Sequence, residues 1–277
     1  MRARILTIAT LAFLLIICFF IDGDLLFGKS GIINGEINEG DLKVFQVSIY
    51  KISSFFGLEQ NVTLKLLILA FAGCFFSIVM DKLLVLSSIG MWFIYWVICN
   101  SGIGYAYGAD YFMIFFLYYN IILCVFRNKK SIHKYLLLML QLHLCMVYFF
   151  AGLGKIVGTD WWDGNAMWAV INVYSFDFVK GYAEILLNYS SILVFLSVAT
   201  ILVEILYPFL IFYRPTRKFT LFSVIAMHIG IAGVMGLFTF GVVMTVMNLV
   251  AFGHYLNIKV PFKLPKDVDI NLETAPA

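Results

Sequence analysis

Lys155 is the residue on which chemistry can turn. It closes the apolar stretch Tyr148-Phe-Phe-Ala-Gly-Leu-Gly-Lys155, and Asp160, Trp161, Trp162 and Asp163 follow at once. An ammonium at the edge of hydrocarbon is costly, and by default it marks a functional position. Burial disfavours the charged form of an amine, so a lysine there can remove a proton near neutral pH. The plain structural alternative is a lysine that snorkels to the interface and pairs with Asp160 or Asp163. Trp161 and Trp162 read as an interfacial belt, which sets Lys155 just inside one membrane face.

Other polar groups interrupt the apolar runs: Glu204, His143 and His228 most sharply, then Gln141, Asn100, Asn120 and Asn248. Unpaired polar groups are expensive in lipid, so these should converge inside a bundle. Gln141, Tyr148 and Lys155 recur at intervals of seven and form one helical stripe. His143 lies about 120° around the same helix from Lys155 and faces a different neighbour. His143, Glu204 and His228 fall nearer mid-membrane and Lys155 nearer one edge, which suggests two sites rather than one. Glu204 reads either as a proton relay or cation ligand, or as a structural partner of His143, His228 or a backbone group. His228 has the same two readings. A cluster of tyrosines, Tyr105, Tyr107, Tyr111, Tyr118 and Tyr119, is belt and core packing, or else an aromatic wall for a flat ligand. Two histidines and a glutamate on separate helices have no metal-ligand spacing, so no metal is expected. Phosphate-loop, dinucleotide, zinc-protease and nucleophile-elbow motifs are not found.

The elements that must position these groups are set by composition. The 277 residues are 62% hydrophobic and 13% charged, with a mean hydropathy of +0.96. Soluble domains are about 45–50% apolar and roughly 25% charged. The pattern predicts an all-α, polytopic membrane bundle with eight spans, at 4–21, 62–80, 83–100, 111–127, 135–156, 191–213, 219–236 and 238–253. The Gly-rich stretch 219–253 reads as two helices or one long broken helix. Residues 1–257 form the bundle and 258–277 a short tail. The segments 22–61 and 161–190 are long enough to form two interfacial structures, each with an amphipathic part.

With the N-terminus in the cytoplasm, 13 of the Lys and Arg residues fall inside and 6 fall outside or near the outer edge. Insertion favours that bias. It places both termini in the cytoplasm and Lys155 at the outer face, as in a bacterial inner membrane protein. The N-terminal Arg2 and Arg4 precede a long apolar run without a cleavage signal, so the run reads as an uncleaved span. The formal charge of +3 is too small and dispersed for a nucleic-acid partner. The lipid bilayer is the expected surrounding. The five cysteines, all in apolar runs and without ligand spacing, read as small hydrophobes, with a Cys18–Cys99 pair left open.

Tyr148-Phe149, Ala151-Gly152, Lys155 and Trp162-Asp163-Gly164 together resemble a pattern of the vitamin K-dependent γ-glutamyl carboxylase family and its bacterial relatives, the HTTM-domain membrane proteins. Leu26-Phe-Gly-Lys-Ser-Gly31 and Ala226-Met-His228, followed by Gly236-Leu-Phe238, are similar to further family segments. The resemblance implies that Lys155 is the base that deprotonates a reduced, vitamin K-like quinone, with His228 as a second catalytic residue. Tyr148, Trp161, Trp162, His143 and Glu204 are the candidates for ligand binding. The large lumenal region of the carboxylase has no counterpart after the last span. The chain is closer in size and layout to short bacterial members, which include the membrane subunit that matures a secreted sporulation-delaying toxin with a soluble partner. The expected function is therefore a carboxylase-like enzyme acting on a secreted peptide at the outer face, with a soluble accessory subunit. The alternatives are a non-catalytic scaffold or export factor in toxin-peptide maturation, and a small-solute transporter using Glu204, His143 and His228 as a proton path.

Overall fold

In hydrocarbon every backbone amide must find its partner within the protein, and a helix satisfies all of them locally. In the computed structural model the apolar runs form helices, and no strand occurs among the described residues, which are 1–28, 31–32, 47–101, 106–174 and 180–256. In chain order these are α1 (Arg2–Ile21), α2 (Gly23–Phe27), α3 (Ile49–Phe56), α4 (Gln60–Val79), α5 (Leu84–Ser101), α6 (Gly108–Val125), α7 (Lys130–Val157), α8 (Thr159–Trp162), α9 (Asn165–Tyr174), α10 (Lys180–Leu187), α11 (Ser190–Leu210), α12 (Arg217–Val234) and α13 (Phe238–Phe252). A short 3-10 turn, Gly253–Leu256, follows. Eight helical segments, the last being α13 continued through the 3-10 turn to Leu256, are long and apolar enough to cross a membrane, so the chain is an integral membrane protein. The tail 258–277, Lys29, Lys43 and Tyr105 lie outside the described residues.

Each span buries one stripe. In α1 the stripe is Ile5, Ile8, Ala9, Ala12, Ile16 and Phe19, at the three- and four-residue spacing that puts side chains on one helical face. It packs against α4, α6 and α13. The stretch 219–253 is a hairpin of α12 and α13, turned at Gly236 with φ +69°, a conformation that only glycine adopts freely. The two arms pack closely because Gly241 faces α12: a Cβ there would collide with the His228 carbonyl oxygen and come within 2.7 Å of Ala232 Cβ.

The two ends of the bundle differ. One end carries Arg2, Arg4, Lys82, the Lys129–Lys130 pair, Arg214 and Lys218. Here the turn between α4 and α5 holds Asp81 and Leu83 at positive φ, and Arg127 clamps Asp81 with two hydrogen bonds, the second at 2.6 Å. That contact holds the Asp81 carboxyl below its ordinary range. The other end is capped by short helices. Helix α3 starts at Ser48, whose hydroxyl accepts from Lys51 N–H, and Ile49 N–H donates to Ser101 Oγ at 2.7 Å. Its Phe55 and Phe56 rings project outward, as expected of an amphipathic helix lying in an interface. Helices α8 and α9 pack on α11. There Trp161, Met167, Ile171, Leu193, Val234 and Met235 form a small apolar cluster apart from the main core. Gly164, at φ +83°, lets this cap rest on the α11 backbone: a Cβ would lie 2.9 Å from Val194 N.

Candidate functional site

The site starts with a glycine. Gly152 on α7 faces α11 so closely that an added Cβ would lie 2.8 Å from Ile205 Cγ1 and 3.0 Å from Glu204 Cβ. Small residues let helix backbones approach in membranes. One turn beyond Gly152, Lys155 Nζ donates to Glu204 Oε2 at 2.7 Å and to Oε1 at 3.0 Å. The pair is mostly enclosed, with side-chain exposures of 18% and 8%. Helical side chains lean toward their own N-terminus. Lys155, near the C-terminal end of α7, therefore leans into the bundle. Helix α11 runs the opposite way, so Glu204 leans toward the capped end and the two meet. Pro208 lies four residues after Glu204 inside α11, and a proline there cannot donate to the Glu204 carbonyl. Asp160 and Asp163 are not the lysine's partners; Asp163 instead accepts from the Asn165 backbone and side chain at 3.0 and 2.8 Å.

Seven residues before Lys155, on the same stripe, Tyr148 joins a fully buried network. Asn248 Nδ2 donates to Met244 O at 2.8 Å and to the Tyr148 hydroxyl at 2.6 Å. Tyr207 donates to Asn248 Oδ1 at 2.6 Å. The Tyr148 hydroxyl lies 2.7 Å from His228 Nε2, and the Tyr148 and Tyr207 rings pack with centroids 4.3 Å apart. Glu204 and Tyr207 are three residues apart on α11, so the ion pair and the network share one helix face. The two sites suggested by apparent depth are therefore one continuous polar stripe between α7, α11, α12 and α13.

Two polar atoms on this stripe are buried without a hydrogen-bond partner among the described residues: His228 Nδ1 and Ser197 Oγ. Ser197 lies two turns before Glu204 on the same buried face of α11. Sequence reasoning missed it, although its sevenfold spacing from Glu204 was a readable signal. The Trp161 ring covers the lysine, with Nζ 5.0 Å from its centroid. Trp162 turns outward and donates its indole N–H to Ile156 O at 2.8 Å.

His143 stands apart. It stacks on Phe115 with centroids 3.7 Å apart, and no hydrogen bond joins it to Glu204 or His228 among the described residues. Gln141 ties α7 to the end of α13 by donating to Ala251 O at 2.9 Å. Asn120 is fully buried, with neither amide atom partnered among the described residues. The tyrosines divide between faces: Tyr119 is buried, whereas Tyr111 and Tyr118 are exposed. The five cysteines are free.

The arrangement can hold one proton between an amine and a carboxylate, and it can present hydrogen-bond donors to a ligand in an apolar surrounding. Residues 126–254 match the model of the HTTM domain. The matched stretch contains α7 to α13, and with them Lys155, Glu204, Tyr148, His228 and Asn248. No curated protein and no solved structure matches the chain.

Proposed function

We propose that the chain is a carboxylase-like HTTM membrane enzyme that uses Lys155 as a base toward a reduced, quinone-like lipid cofactor. Its substrate is a secreted peptide, met at the capped end and delivered with a soluble accessory subunit. The observation that carries the reading is the enclosed Lys155–Glu204 pair inside the matched stretch.

Taking both charges out of water offsets much of the attraction in a buried ammonium–carboxylate pair. Transfer of one proton from Nζ to a Glu204 oxygen leaves a neutral amine. Its lone pair can take up a proton from an acidic hydroxyl and become ammonium again. Trp161 shields the amine on the cap side, and the aromatic ring face tolerates the returning charge. The unpartnered buried polar atoms suit a ligand that carries oxygens. Buried donors without partners cost about 1–3 kcal/mol each, and the two here, His228 Nδ1 and Ser197 Oγ, would be satisfied by such oxygens. Lys155, His228 and Ser197 would hold the group. When bound, a reduced quinone supplies an ionisable hydroxyl and the electrons for reaction with oxygen.

The test uses purified protein in nanodiscs, given reduced menadione and oxygen, with quinone epoxide followed by mass spectrometry. Wild type should form epoxide, and both Lys155→Ala and the double variant Lys155→Met/Glu204→Gln, which strands no buried charge, should lose it. A well-folded wild type without epoxide would sink the proposal.

A further inference from the structure

The hydrogen bonds around Asn248 have a fixed direction. The Met244 carbonyl can only accept, so the amide atom facing it at 2.8 Å is Nδ2. Oδ1 is then the atom that accepts from Tyr207 at 2.6 Å. The second Nδ2 hydrogen points to the Tyr148 oxygen at 2.6 Å. Already an acceptor there, the Tyr148 hydroxyl has its own hydrogen left for His228 Nε2 at 2.7 Å. Nε2 is thus the unprotonated nitrogen, and a neutral His228 carries its hydrogen on Nδ1. Nδ1 is buried and has no partner among the described residues.

We infer that Asn248 is a positioning residue which, through Tyr148, locks His228 in the Nδ1–H tautomer and so makes it a donor to an acceptor oxygen of the bound ligand. This rests on the proposed use of the cluster as a ligand site, but the tautomer belongs to the protein without ligand. The same logic sets ligand class. A carbonyl or ether oxygen meets the Nδ1–H; a group that can only donate is left facing another donor. Tyr207 does not decide the direction, because Met244 alone orients the Asn248 amide.

The experiment is 15N NMR on histidine-labelled protein in nanodiscs at pH 8, with the His228 signals assigned by their loss in His228→Gln. Ligand-free wild type should show a protonated Nδ1 and an unprotonated Nε2. In Asn248→Asp the carboxylate can only accept, so Tyr148 turns its hydrogen away and the pattern should invert to Nε2–H. Tyr207→Phe should leave it unchanged. Nε2–H in wild type, an unchanged pattern in folded Asn248→Asp, or inversion in Tyr207→Phe would each overturn the assignment; the wild-type reading stands even if Asn248→Asp does not fold. Oxidised menadione, whose ring oxygens only accept, should then move the Nδ1 resonance. A resonance that stays still overturns the donor role toward ligand. None of these readouts needs turnover, so failure of the enzymatic proposal is seen separately.

Discussion

Lys155 Nζ holds both carboxylate oxygens of Glu204, at 2.7 and 3.0 Å, across the point where Gly152 lets α7 and α11 touch. Removing one partner strands the other. Breaking a buried pair costs about 3–5 kcal/mol; the partly exposed lysine places this one near 3 kcal/mol. Lys155→Met and Glu204→Gln alone should each lower thermal stability markedly in detergent. The double variant should recover much of the loss, giving a large coupling energy in the cycle. Additive losses would show that the pair contributes no mutual stabilisation.

Trp161 contributes through its ring face, 5.0 Å from the ammonium. Trp161→Leu keeps the apolar contact with Met167 and Leu193 but removes the cation–π attraction, worth about 0.5–2 kcal/mol. The variant should be modestly less stable. In a Lys155→Met background the same change should cost measurably less.

At Gly241 α12 and α13 pack closely: an added Cβ would meet the His228 carbonyl and lie 2.7 Å from Ala232 Cβ. Both contacts are close to the backbone, so neither neighbour can swing aside. Gly241→Ala should cost about 1–3 kcal/mol, the range for overpacking, and should broaden the His228 ring signals by loosening the hairpin. Gly230→Ala, where an added Cβ meets open space, is the control and should be nearly neutral.

The Asp81–Arg127 clamp gives a pH signature. Arg127 holds Asp81 below the usual value near 3.8, so the folded state binds this proton less readily than the unfolded one. The stabilisation is complete above the ordinary value and fades as pH falls through the lowered one. Asp81→Asn should therefore be less stable than wild type at pH 6, by a modest amount because the pair is partly solvated. The gap should close toward pH 3. Melting curves in acid-stable detergent check this; a gap independent of pH would assign the turn's stability to its backbone geometry alone.

The spans were readable because a run of lipid-compatible residues has one solution; whether 219–253 was one broken helix or two was not, because four glycines interrupt it and only the fold assigns the turn to Gly236. The stripe of Tyr148 and Lys155 was equally plain from its spacing. Its partners were not. Apparent depth along the chain separated Lys155 from Glu204, because depth was counted at the backbone while long side chains lean toward their own N-termini, in opposite directions on antiparallel helices. Gly152 and Pro208 flank the meeting point and were the signals available. His143 looked equivalent to His228 by type and position, but a ring can be satisfied by stacking on Phe115 as well as by hydrogen bonds, and sequence does not distinguish the two. The Asn248 network depends on four helices brought together by packing, and no spacing within one helix encodes it.

The ion pair also bears on how the chain is made. Lys155 is synthesised 49 residues ahead of Glu204, and the cap helices α8 to α10 lie between them. Until α11 arrives, α7 carries an uncompensated charge near its end, and α11 alone would carry the opposite one. Each helix is a poorer candidate for stable residence in lipid than the two together. The natural unit of insertion is thus α7 and α11 as a neutral couple, and Glu204→Gln should leave α7 slower to settle in the bilayer during synthesis even if the finished bundle forms.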